Sequence, residues 1–191
     1  MLGALLRPTV TDQQAQGEYD ALVYDLDGTL VRLDVDWGAV TEEAAAVLRA
    51  RGLEADGSLW DLLQRAEEAG QRHRRAVEEV IADHERKGAR SADRLPLAEE
   101  LPAGMPTGVC SLNCEAACRI ALELHGLDGH VDAVVGRDTV AAHKPDPEPL
   151  LATVDALGAG PRAALFVGDS DSDRVTAERA GVDFQPVADR R

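Results

Sequence analysis

Lysine is almost absent from this chain of 191 residues, in which only Lys87 and Lys144 are lysines among 20 basic residues. The formal net charge is -15 at neutral pH. Binding to nucleic acid or to an anionic membrane requires clusters of lysine and arginine, so we expect neither as a partner. An acidic, lysine-poor composition is typical of a halophilic cytoplasm, where salt screens the repulsion between carboxylates. A GC-rich genome can produce the same composition.

Long apolar runs are also missing from the chain. No segment approaches the roughly 20 consecutive apolar residues of a membrane-spanning helix. The apolar start, Met1 to Leu6, is too short for a signal peptide and has no basic residue before it. We therefore expect a soluble, cytoplasmic protein. With 45% hydrophobic residues, the chain is long enough for one buried core and a small accessory domain.

Cysteine is scarce, and the three cysteines do not form a metal-binding pattern. Cys110, Cys114 and Cys118 are four residues apart, with no CxxC pair and no histidine at ligand spacing. An odd number of cysteines in a cytoplasmic chain usually indicates small, buried apolar side chains, and we expect that role here.

Short apolar segments alternate with helical patterns over much of the chain, which predicts an α/β fold. Because the predicted strands are apolar throughout, we expect a Rossmann-like parallel sheet with helices on both faces. The predicted strands are 21–24, 108–111, 131–135, 163–167 and 182–187. The predicted helices among them are 115–124, 147–157 and 171–180, with Asn113 as a cap of the first.

One segment departs from this alternation, because residues 36–90 are rich in Ala, Glu, Arg and Leu and contain no convincing strand. Apolar spacing predicts three helices there: one ending near Gly52, one starting at Ser58, and one from about 71 to 87 that Gly88 stops. We interpret the segment as a small, inserted, all-helical domain. The predicted division is an α/β core of residues 1–30 and 93–191 and a helical domain of residues 31–92, with residues 1–18 as a loose arm.

The segment that follows the first predicted strand carries two acids at a spacing of two, Asp25 and Asp27. An extended chain sends both side chains to one face at the carboxyl end of the strand, where open α/β sheets place their ligands. Like charges this close repel each other unless a cation, a shared proton or hydrogen-bond donors compensate. We therefore predict a site at Asp25 and Asp27, with a metal.

Polar residues also follow three later strands, and the same edge of the sheet should gather them. They are Ser111 and Asn113, then Lys144 in the sequence HKPDP, then the run from Asp169 to Asp173. Each group has a structural alternative, as a helix cap, a solvated charge or a turn. Together they favour one site, in which Asp25 and Asp169 hold Mg²⁺ while Lys144 and Ser111 bind a phosphoryl group. Such a site predicts phosphoryl transfer.

The chain resembles the haloacid dehalogenase superfamily, in its phosphoglycolate-phosphatase-like branch, over residues 20–181. Four motifs carry the resemblance: DLDGT from Asp25, Ser111 in VCSLN, KPDP from Lys144, and GDSDSD from Gly168. The resemblance implies that Asp25 attacks phosphorus to form an aspartyl-phosphate. It implies that Asp27 protonates the leaving group and then activates water. The helical insertion would be a cap that closes over the site.

The same resemblance assigns the remaining site residues. Mg²⁺ would bind Asp25, Asp169 and the carbonyl oxygen of Asp27, while Asp173 would act through water or by orienting Lys144. The substrate phosphate would contact the loop of Leu26, Asp27, Gly28 and Thr29, together with Ser111, Leu112, Asn113 and Lys144. The implied protein is a Mg²⁺-dependent phosphatase of a small phosphorylated metabolite, phosphoglycolate-like or a sugar phosphate. It would act as a monomer or a homodimer.

The alternatives to a phosphatase differ in the residues they need. A dehalogenase would lack the second acid, so Asp27 argues against it. A calcium loop starting at Asp169 would have glycine at its sixth position and glutamate at its twelfth, where this chain has Arg174 and Ala180. A phosphomutase uses the same aspartates and stays open as an alternative. A catalytically idle binding protein would usually have lost a motif residue, and none is missing.

Five residues of the helical domain are candidates for contacting the substrate. Arg72, Arg74 and Arg75 are expected on a solvated helix face rather than at the substrate. Trp37 and Trp60 are expected to be buried within the helical domain rather than in the cleft.

Overall fold

The computed structural model describes residues 18–101 and 103–190, so the predicted arm lies almost entirely outside the described residues. The strands are β1 (Ala21–Tyr24), β2 (Val31–Arg32), β3 (Asp93–Arg94), β4 (Thr107–Cys110), β5 (Ala133–Val135), β6 (Ala164–Gly168) and β7 (Asp183–Pro186). The helices are α1 (Trp37–Arg49), α2 (Leu59–Ala69), α3 (Gln71–Ala89), α4 (Glu115–Leu124), α5 (Glu148–Ala156) and α6 (Asp171–Ala180). Within the described residues, no helix is both long enough and apolar enough to span a membrane.

Five strands form one sheet in the order β5–β4–β1–β6–β7, and every neighbouring pair is parallel. The predicted α/β fold with a parallel sheet is therefore confirmed. β1 is central, with Tyr24 opposite Val109 of β4 and Val167 of β6. All four residues of β1 are buried, as expected for a strand that is covered on both faces.

The side chains of β1 alternate between two apolar clusters, one on each face of the sheet. Leu22 and Tyr24 belong to a cluster that includes residues of α3 and α4. Ala21 and Val23 belong to a second cluster, with residues of α5 and α6. Because close-packed layers hold the sheet on both sides, the loops at its carboxyl edge start from fixed positions.

Between β2 and β3 the chain forms the three helices α1 to α3, which we call the helical unit. Their apolar side chains form a cluster of their own, with Leu48, Leu62 and Val77 among its buried members. At the start of α2, the Ser58 side chain accepts from the N–H of Asp61, and the Asp61 carboxylate accepts from the N–H of Ser58. The helix start predicted at Ser58 is confirmed. β2 and β3 flank the unit in the chain and pair as antiparallel strands, which the sequence analysis did not predict.

Two predictions about helix ends are wrong. Gly88 does not stop α3, which continues to Ala89; instead, a Cβ atom at Gly88 would collide with the backbone of Asp34. Asn113 does not cap α4, because Cys114 is the N-cap residue and makes no capping hydrogen bond with its side chain. The predicted burial of the three cysteines is confirmed, and all three are free.

Candidate active site

Asp25 lies at the carboxyl end of β1. Its N–H donates to the Val167 carbonyl oxygen at 2.8 Å, so the pairing of β1 with β6 fixes its backbone. The residue is only 5% exposed, and its Oδ1 accepts a hydrogen bond from Lys144 Nζ at 2.8 Å. Burial is the largest influence on this carboxyl and raises its pKa to about 7, although the Lys144 charge acts in the opposite direction. A cation beside Asp25 would favour its charged form.

Lys144 is buried on the loop between β5 and α5. Its ammonium group donates to Asp25, to Asp173 Oδ1 at 2.5 Å and to the Cys110 carbonyl oxygen at 3.1 Å. Three acceptors match the three donors of an ammonium group, so the position of Nζ is fixed. Burial lowers the pKa of Lys144, but the charges of the two carboxylates outweigh burial and raise it above its ordinary value. Lys144 is therefore charged at neutral pH.

Asp27 and Gly28 shape the loop after β1. Asp27 is half-buried, and its Oδ1 accepts from the N–H of Leu33 at 2.9 Å. Burial raises the pKa of Asp27, so its carboxyl group holds a proton more readily than that of an exposed aspartate. Gly28 has a φ of 86°, and a Cβ atom there would collide with the Asp169 carboxylate. Only glycine therefore allows the loop to pass so close to Asp169.

Three carboxylates meet at this edge of the sheet. One oxygen each of Asp25, Asp169 and Asp173 lie within 4.8 Å of one another. Both oxygens of Asp173 are already engaged, Oδ1 by Lys144 and Oδ2 by the N–H and hydroxyl of Ser170. Asp173 therefore fits the role of orienting Lys144. Asp25 and Asp169 fit a Mg²⁺ ion, which is bound through one or two carboxylates with water and substrate phosphate as the other ligands.

Ser111 follows β4, next to β1 in the sheet. Its hydroxyl donates to Asn113 Oδ1 at 3.1 Å and accepts from the N–H of Asn113 at 3.2 Å. Ser111 is 2% exposed and is not among the residues that line the neighbouring cavity, whereas Leu112 and Asn113 are. Of the predicted phosphate-contacting residues, Leu26, Gly28 and Thr29 do not line that cavity either, and Asp27 and Lys144 do.

A cavity of about 210 Å³ opens between this edge of the sheet and the helical unit. The parallel-sheet side contributes its polar wall: Asp25, Asp27, Leu112, Asn113, Arg137, Lys144, Asp169 and Ser170. The helical unit contributes a wall that is mostly apolar: Trp37, Leu59, Trp60, Ile81 and Glu85. The structure thus brings Asp25, Asp27, Lys144 and Asp169 together at one cavity, while Ser111 lies beside it.

Sequence reasoning missed the pair formed by Glu85 of α3 and Arg137 of the loop after β5. Two hydrogen bonds join their side chains, at 2.5 and 3.0 Å, and Glu85 is fully buried. Glu85 also accepts from the N–H of Cys114 at 2.9 Å, and Arg137 donates to the Leu112 carbonyl oxygen at 2.7 Å. One sequence signal was present, because Glu85 follows Ile81 by four residues and so continues the buried face of α3.

The tryptophans of the helical unit lie elsewhere than predicted. Trp37 is 43% exposed and Trp60 is 52% exposed, and both line the cavity, so the expected burial within the helical domain is wrong. The ring of Trp60 stacks on that of His143, the residue before Lys144, with centroids 6.4 Å apart and planes within 10°.

The three candidate arginines at the start of α3, Arg72, Arg74 and Arg75, are absent from the cavity lining. Arg74 instead forms ion pairs with Glu67 and Glu78 on the helical unit, at 2.7 and 2.8 Å. Arg72 and Arg75 are exposed, in agreement with the solvated helix face that the sequence predicts.

The fold and the charged groups at its carboxyl edge define a phosphoryl-transfer enzyme of the parallel α/β class. The chain belongs to the haloacid dehalogenase-like hydrolase family, whose model matches residues 22–187. It is 35% identical over 189 residues to a phosphoglycolate phosphatase of Rhodospirillum rubrum, covering 85% of this chain and 76% of the relative. It is 30% identical over 176 residues to one of Aquifex aeolicus, covering 84% and 80%. These relatives show that the chain is a phosphatase of this family.

Solved structures agree with the fold. A haloacid dehalogenase superfamily hydrolase of subfamily IA, variant 1, from Geobacter sulfurreducens superposes with a TM-score of 0.57 and 28% identity. The match covers 87% of this chain and 88% of that one. This likeness supports the parallel α/β fold of the chain.

Proposed function

We propose that this phosphatase hydrolyses a small phosphate monoester with Mg²⁺, through an aspartyl-phosphate formed on Asp25. The observation that carries the proposal is the position of Asp25. Its carboxylate is fixed by Lys144, lines the cavity and lies within 4.8 Å of Asp169. A buried carboxylate held this way needs no reorientation before it attacks, and preorganisation of this kind lowers a reaction barrier.

Mg²⁺ would be held by the carboxylates of Asp25 and Asp169 and by the backbone carbonyl oxygen of Asp27. When bound, it supplies positive charge that neutralises the phosphate oxygens and the carboxylates. Lys144 adds a fixed positive charge of its own beside Asp25. The two positive charges allow a negatively charged phosphate to approach a negatively charged nucleophile.

The first half of the reaction transfers the phosphoryl group to the protein. A carboxylate oxygen of Asp25 attacks phosphorus, the bond from phosphorus to the leaving oxygen breaks, and Asp27 gives its proton to that oxygen. In the second half, Asp27 takes a proton from water, which attacks phosphorus and releases inorganic phosphate. Asp25 is then free again, and Asp27 has regained its proton.

We propose that the helical unit acts as the cap of this site, with residues 31–92 as the cap domain and residues 1–30 and 93–191 as the core. Its support is that the unit supplies one wall of the cavity and has an apolar cluster of its own. An apolar wall excludes water from the phosphoryl group while Asp25 attacks.

The test is phosphate release by Asp25→Asn with p-nitrophenyl phosphate and Mg²⁺, with Asp20→Asn as the matched control. Asp20 is an exposed residue just before β1, so its change should leave activity intact. We expect no release above background from Asp25→Asn while its circular dichroism spectrum stays that of the parent. Undiminished release by that variant would overturn the mechanism. Phosphoglycolate, named in the relatives, and sugar phosphates are the first natural esters to assay.

A further inference from the structure

Both cationic side chains that line the cavity already have partners. Lys144 donates to Asp25, Asp173 and a backbone carbonyl. Arg137 makes two hydrogen bonds to Glu85 and one to the Leu112 carbonyl oxygen. Among the described residues, the cavity lining includes no other lysine or arginine. No positive charge is therefore left over for a second anionic group on a substrate.

A nearby arginine does not change this result. Arg32 lies close enough to Asp27 and Asp169 to influence their pKa values. It lines a separate groove, however, with Gly28 and Pro186. Arg32 therefore acts on the carboxylates of Asp27 and Asp169, and it does not line the cavity beside the helical unit.

The wall made by the helical unit is apolar apart from Glu85, whose charge is compensated by Arg137. Trp37 and Trp60, from α1 and α2, are two of only four large apolar side chains that are markedly exposed in the described residues. Leu59 and Ile81 line the same wall. Exposed apolar surface gathered at a concave site is typical of a ligand-binding wall, because a ligand that covers it removes it from water.

The charges of the cavity disfavour a carboxylate on the substrate. A carboxylate placed against the apolar wall would lose its water without gaining a cation, which is unfavourable. An uncharged ring or chain in the same place would cover the indole rings and meet no penalty of this kind.

We infer that the natural substrate is a phosphate monoester with an uncharged, apolar leaving group, aromatic or alkyl, that packs against Trp37 and Trp60. This inference rests on the proposed function and narrows it. It distinguishes the expected substrate of this chain from the ester named in its relatives, because in phosphoglycolate one methylene group links a carboxylate to the phosphate ester oxygen. The cavity wall made by the helical unit, rather than the charged groups at the edge of the sheet, would discriminate between an apolar ester and phosphoglycolate.

The experiment compares three esters with the full chain and Mg²⁺: benzyl phosphate, phosphoglycolate and glucose 6-phosphate. All three have alkoxide leaving groups, so differences reflect the wall more than the chemistry. We expect kcat/KM for benzyl phosphate to exceed that for phosphoglycolate by about tenfold or more, the size of a hydrophobic-pocket preference. A value for phosphoglycolate or glucose 6-phosphate equal to or above that for benzyl phosphate would overturn the inference.

Variants of the wall make the test independent of overall activity. Trp60→Ala should lower kcat/KM for benzyl phosphate by about tenfold more than it lowers kcat/KM for phosphoglycolate. Trp60→Phe should retain most of the preference for benzyl phosphate over phosphoglycolate. This variant replaces Trp60→Ala in the test if the alanine variant does not fold. Leu59→Arg, which adds a free cation, should shift the preference toward phosphoglycolate. Leu124→Ala changes an exposed leucine outside the cavity lining and should alter neither ester.

The outcomes also separate this inference from the proposed function. Equal loss on all esters in Trp60→Ala, or no shift in Leu59→Arg, would overturn the apolar-substrate inference while leaving the phosphatase mechanism in place. Absence of phosphate release from every ester, or full activity of Asp25→Asn, would overturn the proposed function itself.

Discussion

Glu85 and Arg137 form a buried ion pair that joins α3 of the helical unit to the loop after β5, with hydrogen bonds of 2.5 and 3.0 Å. Each partner also binds backbone near Asn113, through the N–H of Cys114 and the carbonyl oxygen of Leu112. The pair thus connects the helical unit, the loop after β4 and the loop after β5. These three segments all line the cavity, so the pair sets the position of one wall relative to the other.

The first prediction concerns this pair. Glu85→Gln should lower the free energy of unfolding by about 3–5 kcal/mol, because it leaves the Arg137 charge buried without a counterion. Urea denaturation followed by circular dichroism measures the change. Glu79→Gln is the matched control, because the Glu79 side chain is 74% exposed and its ion pair with Arg86 should contribute less than about 1 kcal/mol.

Replacing both partners together gives a further check. Glu85→Leu combined with Arg137→Met removes both charges, so it should recover much of the stability that Glu85→Gln loses. A Glu85→Gln variant as stable as the parent would show that the pair contributes nothing to the junction.

The second prediction concerns the proton carried by Asp27. Asp27→Asn cannot activate water, so the aspartyl-phosphate should form and then persist. With p-nitrophenyl phosphate, whose leaving group needs no proton, we expect a burst of p-nitrophenol equal to the enzyme concentration, followed by slow turnover. With benzyl phosphate, whose leaving group does need a proton, no burst should appear. Steady turnover of both esters at the parent rate would rule out this role for Asp27.

The third prediction concerns the metal. Removal of divalent cations with EDTA should abolish activity, and added Mg²⁺ should restore it. Asp169→Asn should raise the Mg²⁺ concentration needed for half-maximal activity, because it removes one of two carboxylate ligands. Asp171→Asn is the control, because the Asp171 side chain is 80% exposed and paired with Arg174. Equal Mg²⁺ requirements in the two variants would remove Asp169 from the metal site.

The fourth prediction concerns salt. With a net charge of -15, the folded chain carries self-repulsion that added salt screens. The melting temperature should therefore rise by several degrees between dilute buffer and molar KCl, measured by differential scanning calorimetry. A melting temperature that is unchanged or lower in molar KCl would contradict the halophilic interpretation, and the GC-rich genome would then account for the composition.

The gathering of the charged site residues at the carboxyl edge of the sheet could largely be predicted from the sequence. Asp25, Lys144 and Asp169 each follow a parallel strand, and parallel strands end at one edge, so adjacency in space follows from the pattern alone. The buried pair of Glu85 and Arg137 has no such rule behind it. Its members are 52 residues apart, and a glutamate in a charged helix is expected in solvent.

Two other predictions also differ from the structure because of contacts between segments that are distant in sequence. The sequence predicts that Trp60 is buried inside the helical domain, because a large aromatic side chain usually packs into an apolar cluster. It instead stacks on His143 of the loop before Lys144, a contact that depends on how the helical unit sits on the core. Asparagine is a common N-cap residue, which is why Asn113 was predicted to cap a helix. Its side chain instead accepts a hydrogen bond from the Ser111 hydroxyl, and its Nδ2 lies 3.5 Å from Glu85 Oε1.

The most direct measurement of the central claim is mass spectrometry of the enzyme quenched in acid during turnover of p-nitrophenyl phosphate with Mg²⁺. Acid preserves an acyl phosphate long enough for proteolysis at low pH. The account predicts one phosphoryl group on the peptide that contains Asp25, and none on that peptide from Asp25→Asn. A phosphoryl group on another residue, or rapid turnover with no phosphorylated peptide from Asp27→Asn, would contradict it.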